Sequence, residues 1–137
     1  MNFPRADTVV SNSKAKEKMP NVKNKIKIFN DDILTFPLEK ILNNRTIIFG
    51  NLPYNISTQI LAKWIKTKNL DKFFKKLILM FQKEVADRII AKSNTKKYGR
   101  LSILSNWRME IEKILDIEPS SFNPSPKVKS TLLVFVP

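Results

Sequence analysis

The sequence predicts an α/β protein with an open sheet that carries an antiparallel hairpin at one edge. Three observations support this. Short apolar runs at 25–29, 45–51 and 75–82 are interleaved with segments in which apolar residues recur at helical spacing. Strand and helix in alternation are the mark of helices packed on a mostly parallel sheet. The last two strand segments, 109–117 and 130–136, are joined by a loop alone. A direct loop suits antiparallel neighbours, because a parallel pair needs a longer crossover.

The elements follow in order. Residues 1–25 show no period, are rich in Lys, Asn and Ser, and read as a flexible lead-in, with Val9–Val10 as a possible remnant strand. "KIKIF", 25–29, alternates like a strand and runs into "NDD". Residues 37–43 make a short helix with Pro37 in its first turn. "RTIIFGN", 45–51, is a short apolar run closed by a glycine, which predicts a buried strand. Ile56, Ile60, Leu61, Trp64 and Ile65 then lie on one helical stripe, with Asn55 or Ser57 as the cap.

"KKLILMFQ", 75–82, is the third strand, and Val85, Ala86, Ile89 and Ile90 follow at helical spacing. "SNTKKYG", 93–99, is a loop, and 100–107 a further helix. "MEIEKILDI", 109–117, alternates imperfectly as a strand. "EPSSFNPSPK", 118–127, has three prolines in ten residues and cannot be regular structure. "STLLVFV", 130–136, is the closing strand.

Composition bounds the chemistry. The 137 residues suffice for one domain, and 42% are hydrophobic, enough for a core. There is no cysteine and no histidine, which excludes thiolate chemistry, His-based triads and the commonest zinc sites. The densest apolar run, Leu77 to Phe81, is far too short to span a bilayer, and no signal peptide is visible. The cytoplasm is therefore the expected compartment, with no membrane partner. Net charge is +13, and residues 63–108 hold thirteen Lys or Arg against Asp71, Glu84 and Asp87. Two readings stay open. Such a field attracts polyphosphate backbones, but Lys, Asn and Ile are all abundant, as an AT-rich genome would also produce.

Ligands of open α/β sheets bind beyond the carboxyl ends of the strands. "NDD" follows the first strand and "NLPY" the second. An amide there can donate and accept, a proline stiffens the backbone, and a tyrosine offers a flat face. Asn51 and Tyr54 could thus grip a planar ring with an exocyclic amine, such as adenine. The plainer alternatives are an ordinary strand-to-helix turn for "NLPY", a loop with a helix cap for "NDD", and an aromatic pin for Phe122. Trp64 reads as core, and Trp107 is ambiguous.

"FGNLPYNIST" resembles the defining motif of the ribosomal RNA adenine dimethylases. "NDDIL", "FQKEVADRI", "YGRLSIL" and "SFNPSPKVKSTLLVFVP" are similar to further segments of that family in the same order. The resemblance covers residues 26–137. It implies transfer of methyl groups from S-adenosylmethionine to N6 of adenines in small-subunit RNA, free or in a pre-30S particle. By the same resemblance, Asp32 and Ile33 match the cofactor-contacting loop, with Asp32 accepting from the cofactor's adenine amine. Asn51 matches the asparagine beside the transferred methyl. Leu52 would offer its backbone carbonyl to the target amine, Tyr54 would stack on the target base, and Phe122 would close its other face. No metal is implied. DNA adenine methylases are a weaker match, since they usually have Pro where Leu52 stands.

The chain departs from the family in two places. Gly50 and Gly99 are its only glycines, so the family's Gly-rich cofactor loop is not present. The chain also stops at Pro137, where the family continues into a small helical domain. The expectation is a partial Rossmann-like methyltransferase sheet, lacking the first strands and the C-terminal helical domain. Residues 1–25 would be an unmatched lead-in and 26–137 the C-terminal part of the catalytic domain. The N-terminal half could come from another chain. The competing expectation is a non-enzymatic RNA-binding fragment or inactive remnant.

Overall fold

The computed structural model describes residues 8–10, 26–42 and 45–137. They fall in two compact units, 1–37 and 38–137. In the first, β1 (Thr8–Val10) pairs in parallel with β2 (Ile26–Ile28), Thr8 opposite Ile26 and Val10 opposite Ile28. The strand at Val9–Val10 is thus present, and the rest of the expected lead-in lies outside the described residues. After β2, the rings of Phe29 and Phe36 meet edge to face at 5.1 Å, with Phe36 buried.

The second unit opens with α1 (Leu38–Ile41), just after Pro37, whose fixed φ suits a helix start. It continues with β3 (Thr46–Asn51), α2 (Ser57–Ile65), α3 (Leu70–Phe73), β4 (Phe74–Gln82), α4 (Lys83–Ile89), α5 (Arg100–Arg108), β5 (Glu110–Ile117) and β6 (Ser130–Val136). The four strands form one sheet in the order β3-β4-β6-β5. β3 and β4 run parallel, and β6 is antiparallel to both its neighbours. The hairpin of β5 and β6 therefore supplies the antiparallel edge. A register shift between Lys113 and Leu115 in β5 explains its imperfect alternation.

One face of the sheet is fully buried at Leu77, Leu79 and Phe81 of β4 and Leu133 and Phe135 of β6. Phe81 and Phe135 meet edge to face at 6.1 Å. α4 packs on β4 and β6 through Ala86 and Ile89, and α5 packs on α4 and α2. The apolar stripe of α2 is buried as the spacing predicts, Trp64 included. Arg108 at the end of α5 donates from Nη1 to the carbonyls of Ile65 and Thr67, both at 2.8 Å, and so closes the end of α2.

Two local expectations need correction. β3 is half-buried rather than buried: Ile47 is 44% and Phe49 75% exposed. Its side chains alternate between half-buried and exposed, because they point to opposite faces of the strand and only one of those faces is covered. Neither Asn55 nor Ser57 caps α2. The cap position is Ile56, with no side-chain bond, and Ser57 Oγ instead donates to the Tyr54 carbonyl at 3.2 Å. Asn69, before α3, and Asn94, in the 93–99 loop, have φ of 53° and 68°, the left-handed region that asparagine tolerates.

Candidate active site

β3 ends at Asn51, whose side chain is exposed beyond the carboxyl end of the strand. Leu52 turns back into the core and is buried, which anchors the motif between two exposed positions, Asn51 and Pro53. The turn is closed by the Ile56 amide donating to the Pro53 carbonyl at 3.2 Å. Among the described residues, no hydrogen bond uses the Asn51 side chain or the Leu52 carbonyl. Both acceptors remain available to a ligand.

Tyr54 is half-buried, and its hydroxyl lies 2.8 Å from Ser130 Oγ. Ser130 is fully buried and opens β6, where it faces Gln82 of β4 and Ile117 of β5. The carboxyl ends of β3, β4 and β5 therefore converge on the start of β6. The Pro-rich segment that carries Phe122 leaves β5 at this same end. It begins with a single 3-10 turn, Pro119–Ser121, followed by half-buried Phe122, whose amide donates to the Pro119 carbonyl at 3.1 Å. Ser125 Oγ donates to that same carbonyl at 2.8 Å and folds the loop on itself. The Lys83 amide, at the start of α4, donates to the Lys129 carbonyl at 2.9 Å and ties the loop's other end to β4.

Asn51, Leu52, Tyr54 and the Phe122 loop are thus gathered at one end of the sheet. Asp32 and Ile33 belong to the other unit. Asp32 is exposed; its Oδ1 accepts from the Leu34 amide at 2.9 Å, and its carbonyl accepts from the amides of Thr35 and Phe36. One carboxylate oxygen therefore serves a local turn and the other is left for a ligand. Ile33 is half-buried.

Charge near the strand ends is partly neutralised. Asp87 takes Lys83 at 2.9 Å and Lys97 at 2.8 Å. Burial pushes its carboxyl up, but the two ammonium groups outweigh it and hold it below the usual range. Lys83 is held above its usual range by its hydrogen bond to Asp87. The Lys113 ammonium and the Thr131 hydroxyl hold Asp116 down to about 2. No local pattern marks Ser130 as the partner of Tyr54, since 76 positions separate them. No group of three or more acidic residues that could hold a metal is found among the described residues. Among them, too, no helix is long and apolar enough to cross a membrane.

A mixed sheet with helices, a parallel β3–β4 pair and an antiparallel β6 beside it is part of a Rossmann-like methyltransferase fold. The solved structures agree. A dimethyladenosine transferase from Plasmodium falciparum superposes with a TM-score of 0.79 at 29% identity, over 94% of this chain and 46% of that one. The 23S rRNA methyltransferase ErmE shares the fold, with a TM-score of 0.65 at 21% identity, over 93% of this chain and 50% of that one. Ribosomal RNA small subunit methyltransferase A of Pelagibacter ubique (strain HTCC1062) is 57% identical over 112 residues, 82% of this chain and 43% of that protein. Its counterpart in Bradyrhizobium diazoefficiens is 42% identical over 114 residues, 82% of this chain and 40% of that protein. The chain thus spans about two fifths of the length of these curated relatives. The family model for ribosomal RNA adenine dimethylase matches residues 10–137, and the chain belongs to that family.

Proposed function

We propose that this chain carries the target-base half of an adenine N6-dimethyltransferase site for small-subunit ribosomal RNA. The observation that carries the reading is the convergence at Ser130. Its bond to Tyr54 ties the Asn51–Tyr54 turn to the strand that follows the Phe122 loop. In this reading residues 26–137 are the C-terminal part of the catalytic domain.

An adenine N6 amine is a poor nucleophile, because its lone pair is drawn into the ring. The Asn51 side-chain oxygen and the Leu52 carbonyl accept hydrogen bonds from its two N–H groups, so the nitrogen can pyramidalise and aim that lone pair outward. Tyr54 supports one face of the base and Phe122 the other. Positioning and fixed acceptors supply the rate, with no need for a histidine or a metal. The basic segment 63–108 holds the RNA backbone, of free small-subunit RNA or of a pre-30S particle, while the base is turned out of its stack.

S-adenosylmethionine supplies the electrophilic methyl when bound. Within the first unit, the free carboxylate oxygen of Asp32 suits an acceptor for the cofactor's adenine amine, and Ile33 suits an apolar contact to it. In this reading the ribose and carboxylate contacts are made outside residues 26–137, and the setting is the cytoplasm.

The test is methyl transfer from labelled S-adenosylmethionine to undermethylated small-subunit RNA. The chain is assayed alone and with a relative's N-terminal half added. Transfer in either arm supports the reading. RNA binding with no transfer in both arms overturns it in favour of a non-enzymatic RNA-binding chain.

A further inference from the structure

We propose that a pocket between α4 and the 93–99 loop holds an unpaired ribonucleotide next to the target base. This rests on the reading above for RNA being the partner. The cavity is about 340 Å³, within the range of small-ligand sites. Its walls include Glu84 and Arg88 from α4, Lys96 and Tyr98 from the loop, and Arg100 from the start of α5.

Four features point to a nucleotide. First, the pocket is preformed. The Ser102 hydroxyl, fully buried, donates to the Arg88 carbonyl at 2.6 Å and accepts from the Gly99 amide at 3.2 Å, which pins the end of the loop to α4. Second, its cations are available. Lys83 and Lys97 pair with Asp87, whereas Arg88, Lys96 and Arg100 make no ion pair among the described residues. Three cations outside any ion pair suit a phosphate. Third, the Tyr98 side chain is 42% exposed and makes no hydrogen bond among the described residues, which leaves its ring free to stack. Fourth, Glu84 adds a carboxylate that a bare phosphate would avoid. It suits a donor on the same ligand, a ribose 2′-hydroxyl or a base amine, and the 2′-hydroxyl is what distinguishes RNA from DNA.

Position makes the pocket a neighbour of the base site. α4 begins directly after β4, and its first amide bonds Lys129 in the loop that carries Phe122. Glu84 is the next residue. A strand whose target base lies at Asn51 would cross the start of α4 to reach Tyr98.

The experiment measures fluorescence anisotropy of the whole chain with a short single-stranded RNA and its 2′-deoxy counterpart over a salt series. Tyr98→Ala is expected to weaken RNA binding by about tenfold to a hundredfold. Arg100→Gln should reduce the salt slope by about 1. Glu84→Ala should narrow the preference for RNA over DNA. Ile114→Ala, at an exposed apolar position of β5 outside the basic segment, is the control and should bind as the unaltered chain does. All four positions are exposed, so circular dichroism should show unchanged folding. Equal affinity of the unaltered chain and Tyr98→Ala overturns the proposal. So does an equal loss in Ile114→Ala, or equal binding of RNA and DNA by the unaltered chain. Methyl transfer judges the base-site reading separately, so failure there is distinguishable from failure of this pocket.

Discussion

The Tyr54 hydroxyl and the Ser130 hydroxyl share a hydrogen bond of 2.8 Å across 76 positions of sequence. It fixes the ring that would support the base, and it does so from a fully buried partner. Ser130→Ala and Tyr54→Phe should therefore each destabilise the chain, by about 1–3 kcal/mol where a buried group is left without its partner. The double variant should cost less than the sum, because one interaction is lost only once. Denaturant midpoints of the four proteins provide the cycle. Tyr54→Phe keeps the ring and should retain RNA binding, whereas Tyr54→Ala should lose about 1–3 kcal/mol of base stacking. Strict additivity of the two single changes would show that the bond contributes nothing in solution.

Gly50 is needed for space rather than for an unusual backbone angle. A Cβ there would lie 2.9 Å from Leu79 Cδ2 and 3.0 Å from Leu52 Cδ2. Both leucines are buried, so neither has room to retreat freely. Gly50→Ala should cost about 1–3 kcal/mol by overpacking. It should also lower methyl transfer, since displacing Leu52 moves the carbonyl proposed to hold the target amine. Unchanged denaturation and unchanged transfer would show that the turn tolerates a methyl group.

Asp116 makes stability depend on acid. Lys113 at 2.8 Å and Thr131 at 2.6 Å hold its carboxyl at about 2, below its ordinary 3.8. A depressed carboxyl contributes stability that is complete above its unfolded value and is lost as pH falls through its folded value. The advantage of the unaltered chain over Asp116→Asn should hold at neutral pH, shrink from about pH 4 towards pH 2, and vanish below. Urea midpoints across that range measure it. Added salt should reduce the Lys113 part, because that pair is partly exposed. An advantage unchanged at pH 2 would mean that Thr131 is satisfied equally well by the neutral acid.

Much of the fold was legible because the α2 stripe and the two apolar strands have strong periods. Trp64, Ile60 and Ile65 are buried where the spacing puts them. The β5–β6 hairpin followed from the loop between them. What the pattern could not show was which face of a strand stays uncovered. Phe49 belongs to an apolar run, yet it is 75% exposed, because periodicity records a side chain's character and not its neighbours. α3 was missed as well. Four residues are too few for a helical period, and it runs straight into β4. At the site, Asn51 and Tyr54 could be singled out from local chemistry. Ser130 could not, because its role depends on a contact made only by the folded sheet.

Asn51 separates catalysis from binding and folding. Its side chain is exposed and bonds nothing among the described residues, so Asn51→Ala should change stability by no more than about 0.5 kcal/mol. RNA affinity should hold as well, because backbone contacts and stacking supply most of it. Methyl transfer should fall by about a hundredfold to a thousandfold, the usual effect of removing one fixed polar group at a reacting centre. Asn51→Asp keeps an acceptor at the same place and should retain more transfer than alanine does. Single-turnover rates at saturating RNA measure the chemical step, and titrations of RNA measure affinity. An equal loss of rate and affinity would make Asn51 a binding contact alone. A loss of folding would make it structural. Only a fall in rate at constant affinity and stability fits an amide that holds the amine at the moment its nitrogen is alkylated.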